Sequence, residues 1–345
     1  MTNENNNPNL RENTIIPQPD EIMDDDLKVK VIGFGALNLD KLFYVDKIVG
    51  PDEETFIEDE TFSPGGSAAN TIIALSKLGI SSSYIGKIAA DDDGDILEMN
   101  LAKNGVFLNH LIYADEGHSG KVLGFVDSNG LRSLYVDPGV NDEIKIEELN
   151  HYFINQAKII HYTSFVGDSF HAQNELLDKL NDSIILSFDP GMLYVKKGVQ
   201  GLRKILKRTN ILLMNKNELM LLFEDYYKEK LGLKPEDSLT FRDIAVNILN
   251  DGVETVVVKN GSKGVYAING LQEVKIPAYE VNVVDTTAAG DSFNAGFLYG
   301  YLNKYTLENC CKLGNWVASL SITEKGLDGL PNEKDLKEFE TLLKK

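Results

Sequence analysis

The sequence predicts an α/β protein: a mainly parallel central sheet covered by helices on both faces, with a small β-sheet as a lid. Three observations carry that expectation. From residue 138 onward, short apolar runs alternate with helical patterns, the order that makes parallel strands joined by helical crossovers. Two stretches, 41–64 and 109–137, are rich in strand patterns, carry no helical pattern of their own and do not fit that layer. Finally, Val29, Val31 and Ile32 lead into the glycine turn Gly33-Phe34-Gly35, at the strand end where open α/β sheets hold their ligands.

The elements follow in order. Residues 1–26 are rich in Asn, Glu, Asp and Pro and poor in apolar side chains, as in a disordered tail. Residues 27–40, 65–108 and 138–345 are expected to build the α/β body, and 41–64 with 109–137 the lid over its strand ends. Thr55 to Phe62 alternates apolar and polar, the pattern of a half-buried strand, and Pro64-Gly65-Gly66 closes it. A helix opens at Ser67 and runs to Leu78, with Gly79 as its cap. A strand at 83–88 and a helix at 95–104 come next. Runs 122–126 and 132–136 flank Asp127-Ser128-Asn129-Gly130 and read as a hairpin. Further strands fall near 159–161, 184–188, 211–214, 255–259 and 264–268. Helices fall near 169–180, 201–207, 218–223, 241–250, 291–302, 306–323 and 333–343.

Composition narrows the function. The chain has 345 residues and a net charge of −19, from 53 acidic against 34 basic residues. That balance argues against nucleic acid or an anionic membrane as partner, although a local nest of N–H groups can still hold an anionic nucleotide. The two cysteines, Cys310 and Cys311, are adjacent and read as packing residues in a reducing compartment. No basic segment followed by an apolar stretch opens the chain, and no run approaches a membrane span, so a cytoplasmic protein is expected.

The most informative run is Asp285-Thr286-Thr287-Ala288-Ala289-Gly290-Asp291, followed by Phe293, Phe297, Leu298 and Tyr301 on one helical face. A loop of small residues entering a helix aims N–H groups, and the positive end of the helix dipole, at one spot. That spot suits a phosphate, and Asp291 at its edge is placed to take a proton from an attacking hydroxyl. An acidic residue in the first turn is also what the dipole alone would favour. Other nucleotide motifs are missing. The third glycine of a dinucleotide fingerprint would fall at Asn38, which counts against a Rossmann dehydrogenase. No GxxxxGK[ST] occurs; Gly117-His118-Ser119-Gly120-Lys121 lacks the upstream glycine and is followed by Val122. The five histidines show no metal spacing.

Taken in order, these pieces resemble the PfkB family of carbohydrate and nucleoside kinases, which includes ribokinase and adenosine kinase, over roughly residues 28–335. Gly65-Gly66-Ser67-Ala68-Ala69-Asn70 is similar to the family's first signature, and Asp285 to Gly296 to its second and more specific one. Ala288, where glycine is commoner, is similar to ribokinases. Asn215-Lys216-Asn217-Glu218 resembles the family's NxxE, and Lys259-Asn260-Gly261-Ser262-Lys263-Gly264 its nucleotide-side glycine turn. Gly33 with Asn38-Leu39-Asp40 resembles the substrate end of its first strand.

The resemblance implies a ribokinase-like three-layer αβα fold and ATP-dependent transfer of a γ-phosphoryl group to a primary hydroxyl of a ribose-like sugar or a nucleoside. Asp291 would be the base, and Ala288, Ala289 and Gly290 would offer N–H groups to the phosphoryl oxygens. Its place at a helix start favours the carboxylate form, hence a weak base. Asn38, Asp40, Gly65, Gly66 and Asn70 would bind the acceptor, with Arg132 of the lid hairpin near the transferred phosphate. Glu218 with Asn215 would hold Mg2+ through water, and Lys259, Gly261, Gly264 and Asn315 would line the nucleotide side. A monovalent cation such as K+ beside Asp285 and Thr287, and a homodimer through the lid, are implied by resemblance alone. Each role has an ordinary competitor: turn chemistry for Asn38 and Asp40, a helix N-terminal acid for Glu218, a hairpin turn for the 259–264 glycines, a solvated strand residue for Arg132. The 285–291 loop leans towards ribokinases, whereas Ser67 and Arg132 lean towards nucleoside kinases, so the acceptor stays open. A sugar or nucleotide sensor on the same scaffold, without catalysis, is the alternative function; it would need no base at 291.

Overall fold

The computed structural model describes residues 28–234 and 236–343. The tail expected at 1–26 lies outside the described residues. In chain order the first half comprises β1 (Val31–Phe34), β2 (Asn38–Val45), β3 (Ile57–Gly65), α1 (Ser67–Lys77), β4 (Ser82–Ala89), α2 (Asp92–Lys103), β5 (Leu111–Ala114), β6 (Lys121–Val126) and β7 (Arg132–Asp137). Then come α3 (His151–Ile154), β8 (Ile159–Tyr162), α4 (Ser169–Leu177), β9 (Ile185–Phe188), α5 (Gly191–Val195), α6 (Gly198–Gly201), α7 (Arg203–Arg208), β10 (Ile211–Asn215) and α8 (Lys216–Lys230). The chain continues with α9 (Phe241–Asn250), β11 (Thr255–Lys259), β12 (Val265–Asn269), β13 (Glu273–Ile276), α10 (Ala289–Leu302), α11 (Leu307–Ser321) and α12 (Glu333–Leu343).

Nine strands form the main sheet in the order β13-β12-β11-β10-β9-β8-β1-β4-β5. All neighbours are parallel except β11–β12 and β12–β13. Its central strands are buried on both sides, so successive residues serve opposite cores. In β10, Ile211 and Leu213 join one core with α1, α10, α11 and α12, while Leu212 and Met214 join the other with α4, α8 and α9. That is the expected three-layer fold. Each fully buried Leu, Ile or Phe contributes roughly 1.5–3 kcal/mol.

Capping chemistry sets helix ends more sharply than the apolar pattern does. Asp91 Oδ1 accepts the Gly94 N–H at 2.8 Å, and Asp92, Asp93 and Asp95 occupy the first turn, so α2 begins three residues before the expected position. α8 likewise starts at Lys216 under an Asn215 cap and runs on to Lys230, well beyond the expected 218–223.

A second sheet of four strands, β3-β2-β6-β7, stands apart from the body. β6 and β7 are the expected hairpin, with Asp127 Oδ1 accepting the N–H groups of Asn129 and Leu131 at 2.9 Å across its turn. Three expectations need correcting. Residues 111–114, grouped with the lid because they precede the hairpin, pair in parallel with β4 and form the edge of the main sheet. Residues 38–40, grouped with the body, begin the lid strand β2, which pairs with β3 from Asn38↔Gly65 onward. β3 is not half-buried: Ile57 and Phe62 stand 55% and 52% exposed, because among the described residues little covers that face.

Candidate active site

The parallel strands bring their carboxyl ends to one edge of the body. Asp189 follows β9, Asn215 closes β10, and Lys259 closes β11 directly opposite Asn215 in register. α1 and α10 pack together and point their N-termini at the same edge. This is where ligands bind in open α/β sheets.

On the phosphoryl side, Ala288 precedes α10 in the left-handed conformation, φ 57°. Any residue with a Cβ resists that region, a strain glycine would not feel. The turn leaves N–H groups without backbone acceptors. Of the three expected, those of Ala288 and Gly290 meet none among the described residues, and neither does that of Asp291. The Ala289 N–H, by contrast, reaches the Thr286 carbonyl at 3.3 Å, so the N–H groups this turn leaves without a protein acceptor are those of Ala288, Gly290 and Asp291.

Asp291 keeps part of its surface accessible, yet protein encloses its carboxyl. Asn70 Nδ2 donates to its Oδ2 at 2.9 Å, and Thr71 Oγ1 donates to its carbonyl at 3.3 Å, tying α10 to α1. Burial pushes the carboxyl up to about 7; Asn70 pulls it down, Asp189 pushes it up, and Lys259 and Ser67 pull it down. The expected weak base is thereby corrected. The helix dipole favours the anion by a modest amount, and loss of solvent outweighs it.

Behind Asp291 lies a buried network that the sequence reading missed. Lys259 Nζ lies 2.7 Å from Asp189 Oδ2 and 3.0 Å from Asn294 Oδ1, and Asn294 Nδ2 donates to Asp189 Oδ2 at 2.7 Å. Burial disfavours ionised Asp189, but the Lys259 ammonium and the Asn294 amide outweigh it and hold the carboxyl below its ordinary value. Lys259 therefore turns its charge inward, where the expectation had it facing the nucleotide. Two signals were there to read: Asp189 follows a buried strand, and Asn294 interrupts the apolar face of α10.

Asn215 and Glu218 form a capping box. Asn215 Oδ1 accepts the Glu218 N–H at 2.9 Å, and Glu218 Oε2 accepts the Asn215 N–H at 3.1 Å. Burial, and then the charge of Asp189, push the Glu218 carboxyl up. The NxxE spacing is thus a helix start that also presents a carboxylate. Gly261 (φ 55°) and Gly264 (φ 85°) are explained by the turn they make; a Cβ on Gly264 would lie 2.0 Å from the Ile276 carbonyl oxygen. Asn315 is buried and its Nδ2 donates to the carbonyls of Ile276 at 3.2 Å and Pro277 at 2.9 Å, fastening α11 to the segment after β13. Asp285 accepts the N–H groups of Thr287 and Gly326, each at 2.9 Å. Burial opposes its ionisation, but these donors outweigh it and hold the carboxyl low.

On the acceptor side, Asn38 is buried, and its Oδ1 accepts from Asn141 Nδ2 at 3.2 Å. Asn141, also missed by sequence reasoning, in turn accepts the Leu37 N–H at 3.2 Å. Asp40 packs against Gly65, where a Cβ would come within 2.6 Å of Oδ2. Burial pushes Asp40 up to about 6, while the charge of Arg132 pulls it down. Strand register explains that coupling: Asp40 pairs with Val122, Arg132 pairs with Val126, and 122 and 126 share a face. Gly66 stands at φ 119° with the Ala36 carbonyl oxygen 2.2 Å from the position of a Cβ, so only glycine opens α1 here. A continuous path results: Asp40 against Gly65, Gly66 starting α1, Asn70 on its first turn, and Asp291 bonded to Asn70.

N–H groups without acceptors at a helix start, an enclosed carboxyl beside them and a second buried carboxyl under a small separate sheet suit a class of enzyme: a phosphotransferase with an alcohol group as acceptor. Comparison with known proteins narrows this. The family described as pfkB family carbohydrate kinase matches residues 28–335, and the chain belongs to that family. It is similar to an uncharacterised sugar kinase of Archaeoglobus fulgidus, 41% identical over 268 residues that cover 76% of this chain and 100% of the relative. Among solved structures it is similar to a ribokinase from Thermotoga maritima (TM-score 0.77, 27% identity, 91% of this chain and 99% of the other). A nucleoside kinase from Methanocaldococcus jannaschii gives TM-score 0.75 and 27% identity over 90% and 98%. The protein is a sugar or nucleoside kinase with the ribokinase fold. No helix among the described residues is long and apolar enough to cross a membrane.

Proposed function

We propose that the protein transfers the γ-phosphoryl group of ATP to a primary hydroxyl of a ribose-like sugar or a nucleoside. The observation that carries this reading is Asp291: a carboxyl raised to about 7, beside N–H groups without acceptors. A base of that strength holds an attacking hydroxyl well near neutral pH. The acceptor lies along Asn38, Asp40, Gly65, Gly66 and Asn70, and its hydroxyl gives its proton to Asp291 Oδ as the oxygen meets phosphorus in line. The N–H groups of Ala288, Gly290 and Asp291 take the equatorial oxygens, where the helix dipole adds to their field. Arg132 approaches from the lid as the sheet closes, drying the site against loss of ATP to water.

For Mg2+ the strand ends offer one carboxyl, that of Glu218, rather than a full protein ligand set. No group of three or more His, Cys, Asp or Glu among the described residues is arranged to hold a metal, and Glu218 offers a carboxylate at the right edge. Mg2+ keeps several waters and takes the rest of its ligands from phosphates, so Glu218 would hold it through water beside Asn215. Bound there, it would supply charge to screen the phosphates. K+ beside Asp285 and Thr287 is supported by the carboxylate that the Thr287 and Gly326 N–H groups keep ionised. A homodimer through the lid is supported by the rings of Phe62, Phe43, Phe125 and Tyr135. They lie 5.6–6.4 Å from one another in turn and cross all four lid strands.

The test is ADP release from MgATP with ribose, fructose, adenosine, inosine, cytidine and sugar phosphates, compared by kcat/KM. Turnover with one of these supports the reading. Stoichiometric binding without ADP points instead to a sensor.

A further inference from the structure

We propose that Lys259, clamped by Asp189 and Asn294, is a positioning residue: its ammonium braces the first turn of α10 and balances the carboxylates on either side. The proposal rests on the kinase reading, in which Asp291 is the base.

The clamp is a closed ring of three partners, Lys259 to Asp189, Lys259 to Asn294 and Asn294 to Asp189, each at 2.7–3.0 Å. Lys259 ends β11 and Asp189 follows β9, so the ion pair spans the end of β10 between them. Asn294 is carried by α10, three residues after Asp291. The ring therefore pins the start of α10 to the sheet from beneath. It also abuts the anion hole, since a Cβ on Gly290 would stand 3.4 Å from Lys259 Nζ. Side chains of Lys259 and Asp189 are only 14% and 10% exposed, so water screens their charges little.

The groups facing Asp291 are few. Asn70 and Ser67 come from α1, Asp189 from the end of β9 and Lys259 from the end of β11. Asp189 in turn faces His161 of β8, Lys259 and Asn294. Burial pushes His161 down to about 4, so it is neutral near pH 7 and the Lys259 ammonium is the cation of the ring. Asp189 raises Asp291 and Lys259 lowers it. The two ends of one ion pair thus act on the base with opposite sign. A purely mechanical brace has no such asymmetry.

The experiment compares Asp189→Asn, Lys259→Met and the double variant with wild type. The readouts are the pH profile of acceptor kcat/KM and a carbon-13 NMR titration of the carboxyl groups, which needs no turnover. Asp189→Asn is expected to move the acid limb, and the Asp291 titration, to lower pH. Lys259→Met is expected to move both to higher pH and to lower kcat by about 10²-fold, the scale of one lost stabilising group. The double variant buries no unpaired charge and keeps the test open if Lys259→Met does not fold. Relative to Asp189→Asn, it should shift the limb back up. Limbs that coincide in all variants would overturn the proposal, as would a Lys259→Met enzyme with normal kcat and a raised KM for ATP, the mark of a mere nucleotide contact. If wild type turns over no acceptor, the kinase reading fails, and the NMR titration still decides whether the two charges pull the carboxyl in opposite directions.

Discussion

The two sides of this site are built in opposite ways. On the phosphoryl side, Asp291, Asn294, Lys259, Asp189, Asn215 and Glu218 all hydrogen-bond to other protein groups and lie on regular elements or at their ends. On the lid side, Arg132 is exposed, β3 is exposed along nearly its whole length, and of the stripe of aromatic rings Phe62 and Tyr135 face solvent while Phe43 and Phe125 are half-buried. The first arrangement suits a group transfer whose transition state must meet preset charges. The second suits a sheet that opens to admit an acceptor and closes over it. The contrast is the one expected if turnover rests on the body and part of the acceptor contact on the lid.

The strongest way to break that contrast is to remove the base. Asp291→Asn should lower kcat by at least about 10²-fold while ATP still binds, measured by ADP release and by calorimetry. Near-normal turnover would sink the assigned role. The same variant carries a stability signature. The folded carboxyl titrates at about 7, above the roughly 3.9 of an unfolded aspartate, so the folded state keeps a proton that the unfolded state has already lost. Stability is therefore lost as pH rises from about 4 to about 7, and the loss is complete above that. Asn does not titrate. Asp291→Asn should raise Tm relative to wild type at pH 8 and change it little at pH 4, as read by thermal melts at both pH values.

A smaller effect is expected at the acceptor carboxylate. Asp40→Ala removes a charged acceptor of sugar hydroxyls and should lower acceptor kcat/KM by roughly 10- to 100-fold. The KM for ATP should hold. An equal rise in both KM values would mean that the two sides are not separable. Charge-introducing changes at the two exposed rings of that stripe, Phe62→Glu with Tyr135→Glu, test the lid in another way. If the lid pairs two copies, they should convert the dimer to monomer in light scattering and lower Tm only by the stability the association contributes, since neither ring sits in the body's cores.

The sequence made most of the body legible because buried parallel strands and amphipathic helices leave periodic signals. It also made the site's backbone devices legible: Gly66 and Ala288 occupy conformations or contacts that small residues mark. What it hid were long-range pairings. Residues 111–114 show a strand pattern but not which sheet they join, because an edge strand of either sheet reads alike. Lys259 looked like a nucleotide contact because its partners Asp189 and Asn294 are 70 and 35 positions away. The protonation of Asp291 is hidden from sequence for a related reason. A helix dipole can be read from local sequence, whereas enclosure by α1 and the strand ends is a property of the fold.

The smallest expected effect tests whether the anion hole is held under strain. Ala288 occupies φ 57° at the start of α10, a conformation that costs an L-residue roughly 1–2 kcal/mol and glycine almost nothing. Against this, glycine loses about 0.5–1 kcal/mol more than alanine in chain entropy on folding. Ala288→Gly should therefore stabilise the protein by up to about 1 kcal/mol, a rise in Tm of a few degrees at most. Since the side chain is only a methyl and the N–H groups are unchanged, kcat should stay within about twofold. A drop in kcat with a rise in Tm would show that the methyl restricts the loop to the geometry that grips phosphate, and that the strain at 288 serves turnover rather than merely being tolerated.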